Sequence, residues 1–243
     1  MSEGAKVIER RDQIHEGKAK IIYATSDPQK LIQYFKDDAT AFNGKKKGTI
    51  ENKGEVNQAI SAHIFKLIEK DGVATHYVDT LSDREMLIKK VEIIPVEVVV
   101  RNVIAGSLAK RMGREEGEVL PETLVEYYYK DDDLNDPMIN TNHVRVFGMA
   151  TDDEMAFIEL EALKINKWLV SFFDKMGIQL VDYKLEFGRS PEGILLADEI
   201  SPDGCRLWDK QTGEKMDKDR FRRDLGRLEE VYEEMRARVL ATT

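Results

Sequence analysis

Hydrophobic and polar positions change period several times along the chain, and each change marks an element. Lys18, Lys20 and Ile22 alternate with Ala19, Ile21 and Tyr23, a period of two that predicts a strand. Leu31–Phe35 and Val73–Thr80 predict further strands. Between them Val56, Ile60, Ile64, Leu67 and Ile68 recur at helical spacing, with His63 beside the stripe as a packed or half-exposed residue. Glu85–Val100 is nearly all strand-like and closes a strand-rich first lobe near residue 90.

In the second half the glycines and charges of Met112–Glu118 suggest a helix end and a turn, and Tyr127–Asn142 reads as a long polar loop. Thr151 or Asp152 can cap a long helix whose apolar face holds Met155, Ile158, Ala162, Ile165, Leu169 and Phe172, with Gly177 ending it. Two strands follow, Gln179–Phe187 and Gly193–Ile200, joined by a turn through Gly188–Gly193. Phe221, Leu225, Leu228, Tyr232, Met235 and Val239 form a last amphipathic stripe, expected to pack only. This order of strands, helices and hairpins predicts an α+β fold rather than a regular βαβ series.

Composition narrows the classes. The 243 residues are enough for one large domain or two lobes with a sizeable core. Hydrophobic residues make up 42% and charged residues 34%, which excludes a disordered chain. Thirty-seven Lys and Arg against 46 Asp and Glu give a charge of −9, which argues against general nucleic-acid binding. Cys205 is the single cysteine, so no intramolecular disulfide forms and a cysteine-based structural zinc site is not expected. No apolar run of signal or transmembrane length occurs, so the expected setting is the cytoplasm, away from membranes.

Val181–Gly188 carries the sharpest chemical signal. Its apolar residues alternate with Asp182, Lys184 and Glu186, which place three charges on one face. An antiparallel strand with one wet face reads the same way. The next strand, apolar until Asp198, tips the balance: if even positions pair with even positions across the hairpin, Asp198 joins Lys184 and Glu186 on one face. Two carboxylates suit Mg²⁺ shared with phosphate oxygens, and a lysine between them suits a phosphate.

Other segments supply complementary parts. Gly17-Lys18-Ala19-Lys20 puts two lysines on one strand face, readable as solvated or phosphate-facing, and no P-loop or G-x-G-x-x-G occurs. Lys45-Lys46-Lys47 reads as a solvated turn. Arg101 leads into Gly106-Ser107, a strand-to-helix junction able to meet an anion. Lys130 begins an acidic loop, and Arg206 follows the Ser201–Gly204 turn. No nucleophile–base arrangement stands out, so positioning and charge neutralisation are the expected catalytic means.

Two stretches resemble the signatures of the SAICAR synthase family: Ile93–Arg101 continuing through Ala105-Gly106-Ser107, and Leu180–Gly188. The likeness continues in family order through Gly17–Lys20, Asp136-Pro137-Met138, Asp198–Gly204, Arg206–Asp209 and Asp217–Arg222. It implies a two-lobed fold related to ATP-grasp, with residues 1–90 covering a nucleotide and residues 91–243 holding substrate and metal. It also implies a cytoplasmic ligase of purine biosynthesis that joins the carboxylate of a phosphoribosyl carboxyaminoimidazole, CAIR, to the amine of L-aspartate, using ATP and Mg²⁺.

On that resemblance Lys18 and Lys20 meet ATP phosphates, and Glu186 and Asp198 hold Mg²⁺. Asp182 and Lys184 line the phosphate and CAIR region, and Lys130 approaches the transferred phosphate. Arg101, Ser107 and Arg206 bind CAIR, and Arg222 its ribose phosphate. Asn43 departs from members that carry Asp there. Members of such families often form dimers, which makes a homodimer the candidate assembly. Two other readings use the same residues: a small-molecule kinase with a hydroxyl acceptor, and a non-catalytic binder of nucleotides or nucleic acid.

Overall fold

The computed structural model describes residues 8–41 and 46–243. Asn43 and Lys45 lie outside them. The first elements are β1 (Arg10–Glu16), β2 (Lys20–Thr25), β3 (Lys30–Phe35), β4 (Asp38–Ala41), β5 (Lys46–Thr49), α1 (Lys53–Lys70), β6 (Tyr77–Ser82) and β7 (Glu85–Lys89). There follow β8 (Glu92–Ile93), β9 (Val96–Val103), α2 (Gly106–Met112), β10 (Val119–Tyr129), β11 (Met138–Ile139), α3 (Thr141–Val146) and α4 (Asp152–Lys175). The chain closes with β12 (Ile178–Ser190), β13 (Gly193–Ala197), β14 (Cys205–Asp209), α5 (Asp219–Arg223) and α6 (Leu228–Leu240).

The architecture is α+β. One antiparallel sheet has five strands in the order β1-β2-β3-β7-β6, and a seven-stranded sheet runs β11-β10-β9-β12-β13 with β14 and β8 also on β12. The helices form where the apolar stripes demand. Val56, Ile60, Ile64 and Ile68 bury one face of α1, and all six apolar positions expected for α4 are buried. Thr151 caps α4 through a reciprocal capping box: its Oγ1 accepts from the Glu154 amide, and Glu154 accepts from the Thr151 amide. Gly177, at φ 74°, turns the chain out of that helix into β12. One apolar cluster joins α1, α4 and α6 to the inner faces of both sheets, so the strands that carry the charges are rigidly backed.

Five local expectations change. Tyr127–Asn142 is no continuous loop: Tyr127–Tyr129 end β10, and Met138–Ile139 return as β11 to pair with Tyr127 and Tyr128. Lys18 lies in the turn before β2 rather than on a strand face with Lys20. Lys46 and Lys47 belong to β5, and Lys46 Nζ donates to the Phe221 carbonyl at 2.5 Å and to Asp224 at 2.6 Å. The final stripe is two helices. Asp224, Gly226 and Arg227 all have positive φ, which breaks the chain between α5 and α6 and leaves Leu225 exposed.

The fifth change concerns the β12–β13 hairpin, which pairs Glu186 with Ala197 and Phe187 with Leu196. Even positions therefore face odd ones, the opposite of the expected register. Asp198 still reaches Lys184, for a different reason. It lies just past β13 with φ 62°, a left-handed backbone that turns its side chain back over the charged face of β12.

Candidate active site

The charged face of β12 sits at the junction of the two sheets. Lys184 Nζ donates to Glu97 of β9 at 3.1 Å and to Asp198 at 3.3 Å, and it also donates to Glu186. Lys130, immediately after β10, reaches Glu186 at 2.9 Å. From the other sheet Lys20 donates to Asp198 and, at 2.8 Å, to Glu199. The Asp198 carbonyl accepts from Gln33 Nε2 of β3 at 3.2 Å, so both its backbone and its carboxylate are gripped across the junction. Glu97, Glu186, Asp198 and Glu199 thus share three ammonium groups.

Burial raises the cost of every charge here, so the pairing decides which ones persist. Burial opposes the Asp198 carboxylate, but Lys20 and Lys184 hold its pKa far below the usual range. Burial likewise opposes the Lys184 ammonium, and Glu186, Asp198 and Glu97 outweigh it and push its pKa well up. Glu97 moves the other way: burial raises its pKa despite Lys184. Among the described residues no three His, Cys, Asp or Glu side chains gather as a ready metal cage. Two carboxylates, Glu186 and Asp198, nevertheless converge on one point, which the Lys184 ammonium now fills. Their oxygen donors fit a hard cation that completes its shell with phosphate oxygens.

Beside this basin lies a cavity of about 330 Å³, lined by Arg101, Ser107, Lys184, Asp203, Arg206 and Arg222 among others. Its arginines are held by a second set of carboxylates. Arg101 donates to Glu126 at 2.7 Å, to Asp182 at 2.6 Å and to Ser107 at 3.1 Å. Arg206 donates to Asp182 at 2.8 Å and to Asp219 at 2.9 Å. Arg222 reaches Asp219 at 2.5 Å. Fixed guanidinium forks aimed into a cavity suit planar carboxylates and phosphates. The junction at Gly106 is close-fitting. With φ 55° it lies so near Arg206 that a Cβ would stand 2.4 Å from Nη2.

Most of the expected residues meet in these two neighbouring groups: Lys20, Lys130, Lys184, Glu186 and Asp198 in the basin, Arg101, Ser107, Asp182, Arg206 and Arg222 around the cavity. Lys18 stands apart, paired with Asp132 at 2.6 Å in an exposed contact that ties the β1–β2 turn to the acidic loop. The sequence reading missed Glu97, Glu126, Asp203 and Asp219, which hold the basic side chains in place. Glu97 had a readable signal, as the only carboxylate inside the apolar run Ile93–Val100.

A junction of two antiparallel sheets that gathers lysines, carboxylates and arginine forks has the chemistry of an enzyme site suited to anionic substrates. Comparison with known proteins gives the particular family. The family model described as SAICAR synthetase matches residues 13–239. The phosphoribosylaminoimidazole-succinocarboxamide synthase of Magnetococcus marinus is 57% identical over 235 residues, which cover 96% of this chain and 97% of that protein. The crystal structure of the Ehrlichia chaffeensis synthase superposes with a TM-score of 0.93 at 45% identity, covering 95% of this chain and 99% of that one. A SAICAR synthetase in complex with ADP gives a TM-score of 0.90 at 50% identity, over 93% and 96% of the two chains. The chain belongs to the SAICAR synthetase family and is a ligase of purine biosynthesis. Among its described residues no helix is long and apolar enough to cross a membrane.

Proposed function

We propose that the enzyme joins the carboxylate of CAIR to the amine of L-aspartate at the expense of ATP, through an acyl phosphate. The observation that carries this reading is the adjacency of the lysine–carboxylate basin to the arginine-lined cavity, with Lys184 common to both. Use of ATP is supported by the ADP bound to the related synthetase. In this reading residues 1–90 cover the nucleotide and residues 91–243 hold the second substrate and the metal.

Lys18 and Lys20 bind the nucleotide phosphates, and Lys130 meets the transferred phosphoryl group. Arg101, Ser107 and Arg206 orient CAIR, and Arg222 takes its ribose phosphate. Glu186 and Asp198 would hold Mg²⁺, whose bound charge neutralises phosphate oxygens. The CAIR carboxylate oxygen attacks the γ-phosphorus, the bond to the β–γ bridging oxygen breaks, and ADP leaves. The amine of L-aspartate, having lost its ammonium proton, attacks the acyl carbon. The carbon–oxygen bond to phosphate then breaks, phosphate leaves, and the new nitrogen gives up a second proton. Lys184 and Lys130 stabilise charge as it spreads over the transferred group, and Asp182, which accepts from both Arg101 and Arg206, holds those two arginines in place beside the substrate. The cytoplasm is the fitting compartment, and a homodimer the fitting assembly.

The test is product analysis with ATP, Mg²⁺ and CAIR, with and without L-aspartate. Aspartate-dependent release of ADP together with SAICAR supports the reading. ADP release indifferent to aspartate, with a phosphorylated alcohol as the product, would instead mark a kinase.

A further inference from the structure

The cations at and beside the cavity divide into those with a close carboxylate contact and one whose carboxylate contact is long and shared. Arg101, Arg206 and Arg222 each contact a carboxylate at 2.9 Å or less, and Lys184 contacts three. Lys218, the residue before α5, has one carboxylate contact among the described residues, from Nζ to Asp203 Oδ2 at 3.4 Å. That oxygen already accepts from Lys53 at 2.8 Å, and the other Asp203 oxygen accepts from the Tyr232 hydroxyl at 2.8 Å. The Lys53 side chain is only 1% exposed, so its ammonium has no recourse to water and commits the Asp203 charge.

Two buried ammonium groups therefore share one carboxylate, and Lys218 is the surplus. Its side chain is 12% exposed. Burial, which Asp203 offsets only in part and which Lys53 and Arg222 reinforce, depresses its pKa below the ordinary lysine value. Lys218 stands beside the cavity: its contact Asp203 and its neighbour one helical turn on, Arg222, both line it. A charged side chain taken from water without a close counter-charge gains most from an incoming anion.

We propose that Lys218 receives a carboxylate of the amino-acid substrate. The inference rests on the reading of L-aspartate as acceptor, a dicarboxylate whose amine must be left free to attack. Arg101, Arg206 and Arg222 are already carboxylate-bound and are assigned to CAIR. Lys218 supplies the positive charge that a second anionic substrate requires, next to the same cavity. Lys53 and Tyr232 hold Asp203 in place, so Lys218 can turn to the substrate without stranding that carboxylate.

The experiment is steady-state kinetics of the whole enzyme, varying each substrate in turn, in wild type, Lys218→Met and Lys218→Gln. Loss of one charged hydrogen bond raises the KM for L-aspartate by about 10- to 100-fold, while the KM values for ATP and CAIR stay within about twofold. Lys218→Arg restores charge and recovers part of the shift. Succinate, which has both carboxylates and no amine, inhibits wild type competitively against aspartate and loses potency in Lys218→Met in parallel. A neutral variant that folds and keeps the wild-type KM for aspartate overturns the assignment, as do equal rises in all three KM values. The second neutral variant decides if the first fails to fold. Wild-type turnover that ignores aspartate would overturn the functional reading itself, which is a separate outcome.

Discussion

Glu126 of β10 is the clearest case of a residue that holds another in place, here Arg101, the arginine proposed to orient CAIR. Its carboxylate accepts from Arg101 Nε at 2.7 Å, from the Tyr128 hydroxyl at 2.9 Å and from Arg111. Burial opposes its charge, yet Arg101, Tyr128 and Arg111 together hold its pKa below the ordinary 4.5. Glu126→Gln keeps the volume and one accepting oxygen but removes the charge. A lost charged hydrogen bond costs about 1.5–3 kcal/mol, and a broken buried pair about 3–5 kcal/mol. Arg101 retains Asp182 at 2.6 Å, so the lower range applies. The expected loss is about 2–3 kcal/mol, or a Tm lower by roughly 4–12 °C for a chain of this size. A group with a depressed folded pKa contributes stability that is present above its unfolded pKa and is lost as pH falls through the folded one. The gap between wild type and variant is thus full at neutral pH and closes on acidification below 4.5. Urea unfolding across a pH series measures it. A variant as stable as wild type at neutral pH, or a gap that persists unchanged into acid, would refute the reasoning.

Two further outcomes follow from the same site. Gly106→Ala puts a Cβ 2.4 Å from Arg206 Nη2 at a backbone φ of 55°. It should cost about 1 kcal/mol in backbone strain alone and, by displacing Arg206, raise the KM for CAIR about tenfold; an unchanged KM for CAIR counts against a role of Arg206 there. Asp217 accepts from the amides of Leu207 and Asp219, and burial, with Asp219 nearby, raises its pKa to about 7. A raised folded pKa means stability that is present in acid and lost as pH climbs through about 7. Wild-type stability should therefore lose this contribution between the unfolded value near 3.8 and about 7, and Asp217→Asn should flatten the slope across that window; identical slopes contradict it.

The elements legible in the sequence are those fixed by local periodicity. The stripes of α1 and α4, the Thr151 cap and the alternation along β12 all depend on neighbours within a few residues. What escaped depends on distant contacts. β10 is long because it pairs with β9, and its polar surroundings give no local sign of that partner. The break after α5 rests on three positive φ values that an otherwise regular apolar stripe conceals. The site was legible in its residues but not in its geometry. Lys184, Glu186 and Asp198 do meet, yet through a left-handed turn at Asp198 and not through the expected register. Glu126 and Asp219 gain meaning only when strand pairing and the α5 turn bring them against arginines, which sequence spacing does not encode.

The central claim is that the charged face of β12 works on ATP and the acceptor together. The most direct test is aspartate-dependent ADP release in wild type and Glu186→Gln, with Mg²⁺ titrated at saturating ATP, CAIR and L-aspartate. Glu186 accepts from both Lys130 and Lys184, so the amide keeps the shape while removing the charge they share. The account predicts a folded variant with most of its turnover lost and a higher Mg²⁺ requirement. Full activity of Glu186→Gln at limiting Mg²⁺ would contradict it.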